Sequence, residues 1–151
     1  RATLIAFDAN EQPWVVFTVD GGSNDANYIT SLSTTAGAFE GVYEASYGRG
    51  GGPVVSVIAR LDPADGQLVK GSFVSARLSS GDTNTLRITA IGFRGDQVIL
   101  EASSAAWPPG AGSSYERFPD ITDAVRVDGA FLLFYEMSID LSAISTARLR
   151  D

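Results

Sequence analysis

Alternation of apolar and polar positions dominates this chain, whereas helical periodicity is nearly absent. Successive side chains of a β-strand point to opposite faces, so a period of two indicates strands buried on one side. The strand-like segments are 4–7, 14–19, 54–61, 68–78, 86–93, 97–103, 131–140 and 142–149. The best candidate for a short helix or turn is 34–43, where Gly37 and Gly41 weaken a helix. The pattern therefore predicts an all-β chain of about eight strands.

Residues that favour turns separate these segments. In Asp62-Pro63-Ala64-Asp65-Gly66, proline presets φ and the glycine accepts a left-handed conformation. Arg94-Gly95-Asp96 matches an adhesion tripeptide, but it stands where a hairpin needs its turn, so we predict a turn. Lys70 interrupts the apolar side of segment 68–78, which predicts a position near a sheet edge. Two long loops are expected, near 20–53 and 103–126.

The order of elements is repeated once along the chain. The aligned segments are 5–16 with 91–100, 57–62 with 134–140, and 75–78 with 146–149. We therefore predict one all-β domain or fragment, 1–151, built from two antiparallel four-stranded meanders in approximate units 2–85 and 86–151. Such meanders are the unit of a β-propeller, so two propeller-like blades are expected. A closed eight-stranded sandwich or barrel is the alternative for this length.

One stretch of the second unit points to a known family. Residues 88–104, followed by Trp107-Pro108, resemble the bacterial β-propeller repeat abbreviated SBBP. Segment 57–73 resembles the family's other hairpin, and 34–39 resembles its Thr-Thr-Pro-Gly-Ala-aromatic segment, with Ala36 where proline is usual. The resemblance implies propeller blades, a secreted or surface-exposed bacterial protein and no known catalytic residues.

The residue composition excludes several kinds of catalytic site, metal site and binding partner. The 151 residues include no histidine and no cysteine, which excludes histidine- or thiolate-based catalysis, disulfides and zinc sites built on these ligands. The net charge of −7 opposes binding of nucleic acid. No run of 18 apolar residues is present, so no membrane span is expected. With no convincing pair of carboxylates either, we predict that the chain is not an enzyme.

The first long loop carries a candidate metal site. Asp20, Asn24 and Asp25 supply the oxygen ligands that calcium prefers. Counted from Asp20, the EF-hand spacing fails, because Asp25 replaces the required glycine and Ser31 the required glutamate. We therefore expect a solvated turn and no cofactor, with calcium as the one ion that this loop would take.

The second long loop carries a candidate ligand site. Trp107, Tyr115 and Phe118, together with Arg117, are side chains suited to contact a glycan or a protein. The alternative is that the three aromatic rings anchor the loop onto the sheet beneath it.

These observations predict a non-catalytic extracellular structural or protein-interaction module of a bacterial surface or secreted assembly. One alternative is a carbohydrate-active module that uses the 101–128 loop, with glycan binding favoured over hydrolysis. The other is a calcium-dependent adhesive fragment. Since the sequence opens at Arg1, we expect a mature chain or a piece of a longer one. Open strands near Leu4 and Ala147, and an uncovered apolar face at Phe131, Leu133 and Tyr135, predict association with a protein partner or with further copies.

Overall fold

The computed structural model describes residues 2–20, 34–41, 53–78, 82–106 and 125–149. These residues form ten strands, turns and no helix, and the described part of segment 34–43 consists of turns. The strands are β1 (Ala2–Phe7), β2 (Pro13–Asp20), β3 (Val54–Leu61), β4 (Leu68–Val74), β5 (Ala76–Arg77), β6 (Thr83–Asn84), β7 (Leu86–Arg94), β8 (Gln97–Ser104), β9 (Phe131–Ser138) and β10 (Ile144–Leu149).

Eight of the strands form two sheets of the same topology. The first sheet has the order β1-β2-β3-β4 and the second β7-β8-β9-β10, and every neighbouring pair is antiparallel. Strands β5 and β6 pair separately, and none of the sheets seen in the described residues closes on itself. The prediction of an all-β fold with two antiparallel four-stranded meanders is confirmed.

Two predicted turns are found where the sequence indicates them. Gly66 adopts a φ of 72°, and its N–H donates to the Asp62 carbonyl at 2.8 Å. Gly95 adopts a φ of 58° between Arg94 and Gln97, which face each other across a two-residue turn. The Arg94-Gly95-Asp96 tripeptide is therefore the turn of the β7–β8 hairpin.

The single strand predicted over 68–78 is wrong. Strand β4 ends at Val74, because Ser75 donates both its N–H and its hydroxyl to the carboxylate of Glu40. The alignment of 75–78 with 146–149 fails for the same reason: β10 pairs with β9, whereas Ala76 and Arg77 pair with β6. The edge position predicted from Lys70 is confirmed, since β4 is the last strand of its sheet.

One hydrophobic core lies between the two sheets. The first sheet contributes Trp14, Val16, Ile58 and Val74, and the second contributes Leu86, Ile88, Val98, Leu100, Ala102, Phe131, Leu133, Tyr135, Met137, Ile144 and Ala147. The expected exposure of the face formed by Phe131, Leu133 and Tyr135 is therefore wrong. Each meander buries the apolar face of the other, which gains about 25 cal/mol for each Å² removed from water.

A second, smaller cluster lies on the opposite face of the first sheet. Val55, Val57 and Phe73 are fully buried there, with Phe17 and Val19 packed against them. Strand β3 is consequently buried on both faces from Val55 to Ala59. Hydrophobic residues occupy nearly every position of this strand, as in strands that are covered on both sides.

None of the described segments is a helix of the length and apolar character that crossing a membrane requires.

Candidate functional site

A buried carboxylate joins the first sheet to the turn segment 34–41. Glu40 is only 6% exposed and accepts hydrogen bonds from the Ser75 N–H at 3.0 Å and the Ser75 hydroxyl at 2.5 Å. Arg77 of β5 forms an ion pair with the same carboxylate at 3.2 Å. Charge, burial and three donors therefore converge on one side chain.

Burial is the largest cause of the raised pKa values in this cluster. It raises the pKa of Glu40, against the opposing effects of the Ser75 hydrogen bonds and the Arg77 charge. The pKa of Tyr135 is also raised, first by its burial and then by the negative charge of Glu40. The Tyr135 hydroxyl finds no hydrogen-bond partner among the described residues. A buried hydroxyl of this kind costs about 1–3 kcal/mol of stability.

The contact between the Ser75 hydroxyl and Glu40 has the spacing of a nucleophile and its general base. Ser75 is fully buried, however, and Glu40 is nearly so, so a substrate has no direct approach to either side chain. The arrangement fits a structural role, because these contacts hold segment 34–41 against the chain where β4 ends.

Segment 34–41 covers the outer edge of β4. The Thr35 N–H donates to the Gly71 carbonyl at 3.1 Å, and the Phe73 N–H donates to the Glu40 carbonyl at 3.0 Å. The segment also reaches the second sheet, because the Phe39 N–H donates to the Leu141 carbonyl at 2.7 Å. This edge of the first sheet is therefore satisfied within the chain.

A side chain of the first sheet makes hydrogen bonds with the backbone of β7 near the beginning of that strand. The Ser56 hydroxyl donates to the Leu86 carbonyl at 2.9 Å and accepts from the Ile88 N–H at 3.0 Å. Ser56 is fully buried, so these two bonds lie in the core between the sheets.

Strand β1 is at the other end of the first sheet, and no strand of the described residues pairs with its outer side. Ile5 and Phe7, two residues apart and thus on one face, are 67% and 64% exposed. Their partners across β2 are Val15 and Pro13, so the surface around them is apolar as well. Residues 2–7 carry no charge. We name strand β1 with its exposed Ile5 and Phe7 side chains the β1 edge.

Strand β10, which ends the second sheet and has β9 as its one strand partner among the described residues, has a different surface. Arg148 is exposed, and its guanidinium lies 4.4 Å from the centre of the Phe134 ring. On the neighbouring strands Arg94 forms an ion pair with Glu136. Charged and polar side chains thus cover the outside of this sheet, which is how natural proteins keep edges from pairing.

Most of the predicted site residues lie outside the described residues, namely Asn24, Asp25, Trp107, Tyr115, Arg117 and Phe118. Asp20 is the last residue of β2 and is exposed. In the described part of the chain, no three acidic, histidine or cysteine side chains come together to hold a metal. The calcium loop and the aromatic loop remain predictions.

Sequence reasoning missed the contact between Glu40 and Ser75. It predicted an open strand near Leu4, but not the exposed Ile5 and Phe7 side chains of that strand. Glu40 and Ser75 are 35 residues apart in the chain, and no local pattern links them. The β1 edge did leave a signal: Leu4 to Phe7 is an unbroken apolar run, which places apolar side chains on both faces of the strand.

No family model, no curated protein and no solved structure matches this chain. The resemblance to the SBBP repeat therefore stays a prediction.

Proposed function

We propose that this chain is a non-catalytic structural or protein-interaction module that binds its partner through the β1 edge. One observation supports this above all others: an uncharged strand lies at the end of its sheet with two large apolar side chains more than half exposed. Exposed apolar surface on an open edge is the usual mark of a surface that another chain covers.

The contrast with the other sheet edges strengthens the proposal. Segment 34–41 makes backbone hydrogen bonds with β4, and the Ser56 hydroxyl makes them with β7. Arg148 places a charge on β10. In the part of the chain that the structure describes, β1 is the outer strand that combines a free backbone edge with an uncharged, apolar surface.

The wider setting that we propose is a bacterial surface or secreted assembly, with the two meanders acting as propeller-like blades. Support comes from the tandem arrangement of two four-stranded meanders, which is the unit that propellers repeat, and from the SBBP resemblance. Protease treatment of intact producing cells tests the location: an exported chain is cleaved, whereas an internal one is protected.

A photo-cross-linking experiment tests the interaction. Phe7 is replaced by p-benzoylphenylalanine in the producing cells, and adducts formed on illumination are identified by mass spectrometry. Phe134 is the matched control position, because it is also aromatic but lies half-buried beneath Arg148 on the outer side of the second sheet.

The expected result is one dominant protein adduct from position 7 that is lost when Ile5→Lys is added and that re-forms with the purified partner. The partner is either another protein or a second copy of the chain. Equal, diffuse labelling from positions 7 and 134 would contradict the proposal.

A further inference from the structure

We propose that the partner of the β1 edge is a second copy of this chain, with the two β1 strands paired antiparallel. The inference rests on the proposed function and names its partner. Pairing of this kind joins two four-stranded sheets into one eight-stranded sheet across a two-fold axis.

The backbone chemistry of β1 fits such a pairing. Residues 2–7 contain no proline and no charge, two of the devices that keep natural edge strands apart, and the irregularity in the pairing of β1 lies between Ala2 and Leu4, so that Leu4 to Phe7 stay in regular register. Two antiparallel copies of one strand form a self-complementary interface, because each backbone donates to the other in the same pattern.

The charges near β1 select the antiparallel orientation. Asp8 and Glu11 follow the strand, and Asp62 and Asp65 occupy the turn at the same end of the sheet. Arg60 and Lys70 lie near this end as well and offset two of the four negative charges. Parallel copies would bring these acidic turns side by side. Antiparallel copies place them at opposite ends of a six-residue strand, about 20 Å apart, which is about twice the screening length in physiological salt.

The apolar side chains complement the same arrangement. A two-fold axis perpendicular to the sheet keeps both outer faces on the same side, so Ile5 and Phe7 of the two copies line up in one apolar stripe. Cross-strand apolar pairs of this kind stabilise antiparallel sheets. With a net charge of −7 on each copy, two copies repel each other overall, and an uncharged strand adds no further repulsion at the interface.

Sedimentation equilibrium over a range of concentrations is the first test. The expected result is a reversible dimer whose dissociation constant rises at least about tenfold in Ile5→Lys, since each interface then gains two facing like charges. Val127→Lys is the matched control: Val127 is 54% exposed and lies outside the strands, so the dimer is expected to persist.

Disulfide trapping is the second test, and it suits this chain because it has no cysteine of its own. With the two-fold axis placed at Ile5, the two copies of this residue are directly opposite, where cross-strand Cβ atoms lie about 4.5–5.5 Å apart. Ile5→Cys is therefore expected to form a covalent dimer under mild oxidation. Val127→Cys provides the background rate. Near-ultraviolet circular dichroism of each variant verifies that the fold is retained.

Two outcomes would overturn the inference. One is a monomer at all concentrations together with no excess of covalent dimer for Ile5→Cys over Val127→Cys. The other is a dimer that Ile5→Lys leaves intact, which would place the interface elsewhere. If the chain is monomeric while position 7 still cross-links to a different protein, the proposed function stands and only the second copy is excluded.

Discussion

The two four-stranded sheets share their strand order but differ in what covers their outer faces. In the first sheet, β3 is buried on both sides, and the outer face carries Phe73 in a fully buried cluster. In the second sheet, β9 alternates between buried and half-buried residues, and its outer face holds Phe134 and Glu136 in contact with arginines.

This difference shows that topology does not determine how a sheet meets its surroundings. The second sheet has one apolar and one largely polar face, the arrangement typical of an antiparallel sheet that borders solvent. The first sheet is apolar on both faces, and near Ile5 and Phe7 the apolar outer surface remains exposed. We therefore expect partners to bind the first sheet.

The largest expected effect is a difference in stability between substitutions on the two outer faces. Phe73→Ala should lower the free energy of unfolding by about 4 kcal/mol, because it empties a fully buried site. Phe134→Ala on the second sheet should cost only about 1 kcal/mol, from partial burial and a cation–π contact. Urea denaturation measures both. Equal losses for the two variants would show that the outer faces do not differ.

A smaller difference in stability is expected between substitutions that remove the two ion pairs. Glu40→Ala should cost about 3 kcal/mol, since it removes the buried carboxylate that both Arg77 and the Ser75 N–H contact. Glu136→Ala should cost less than about 1 kcal/mol, because Arg94 is 65% exposed and its charge is screened by water. The same denaturation experiment gives both values. A large loss for Glu136→Ala would refute the view that its ion pair is a surface contact.

The smallest effect is an opposite pH dependence in the two regions. The raised pKa of Glu40 means that its stabilising contribution is present below the ordinary glutamate value of about 4.3 and is lost as the pH rises through the folded-state pKa. Hydrogen bonds from Ser142 and then Ser138 lower the pKa of Asp140, in the β9–β10 turn, to about 2. The contribution of Asp140 is therefore present above about pH 3.9 and is lost as the pH falls towards 2.

Urea midpoints measured from pH 2 to 8 test these signs. Relative to Glu40→Gln, the wild-type chain should lose stability as the pH rises above about 4.3. Relative to Asp140→Asn, it should lose its advantage as the pH falls below about 3.9. If the urea midpoints of the wild type and a variant change with pH in the same way, the substituted residue is not a source of the pH dependence.

Much of the fold was predictable because its signals are local. Alternation over 131–140 gave β9, and the glycines at 66 and 95 gave two turns, since a strand face and a positive φ depend on residues close together in the chain. The end of β4 was not predictable. The alternation of 68–78 continues past Ser75, and only the carboxylate of Glu40, 35 residues earlier, draws the Ser75 N–H away from a strand partner.

The sequence by itself determined that this chain is all-β, where its hairpins turn, and that its 151 residues supply no imidazole and no thiol. Only the tertiary structure decided which faces are covered. Phe131, Leu133 and Tyr135 have the same apolar pattern as an exposed face would have, and they are buried because Trp14, Val16 and Ile58 of the other sheet lie against them. Periodicity records which side chains share a face, whereas burial depends on what the rest of the chain brings to that face. For the same reason, the sequence could not tell that Ile5 and Phe7 are exposed while other apolar side chains of the same sheet are buried.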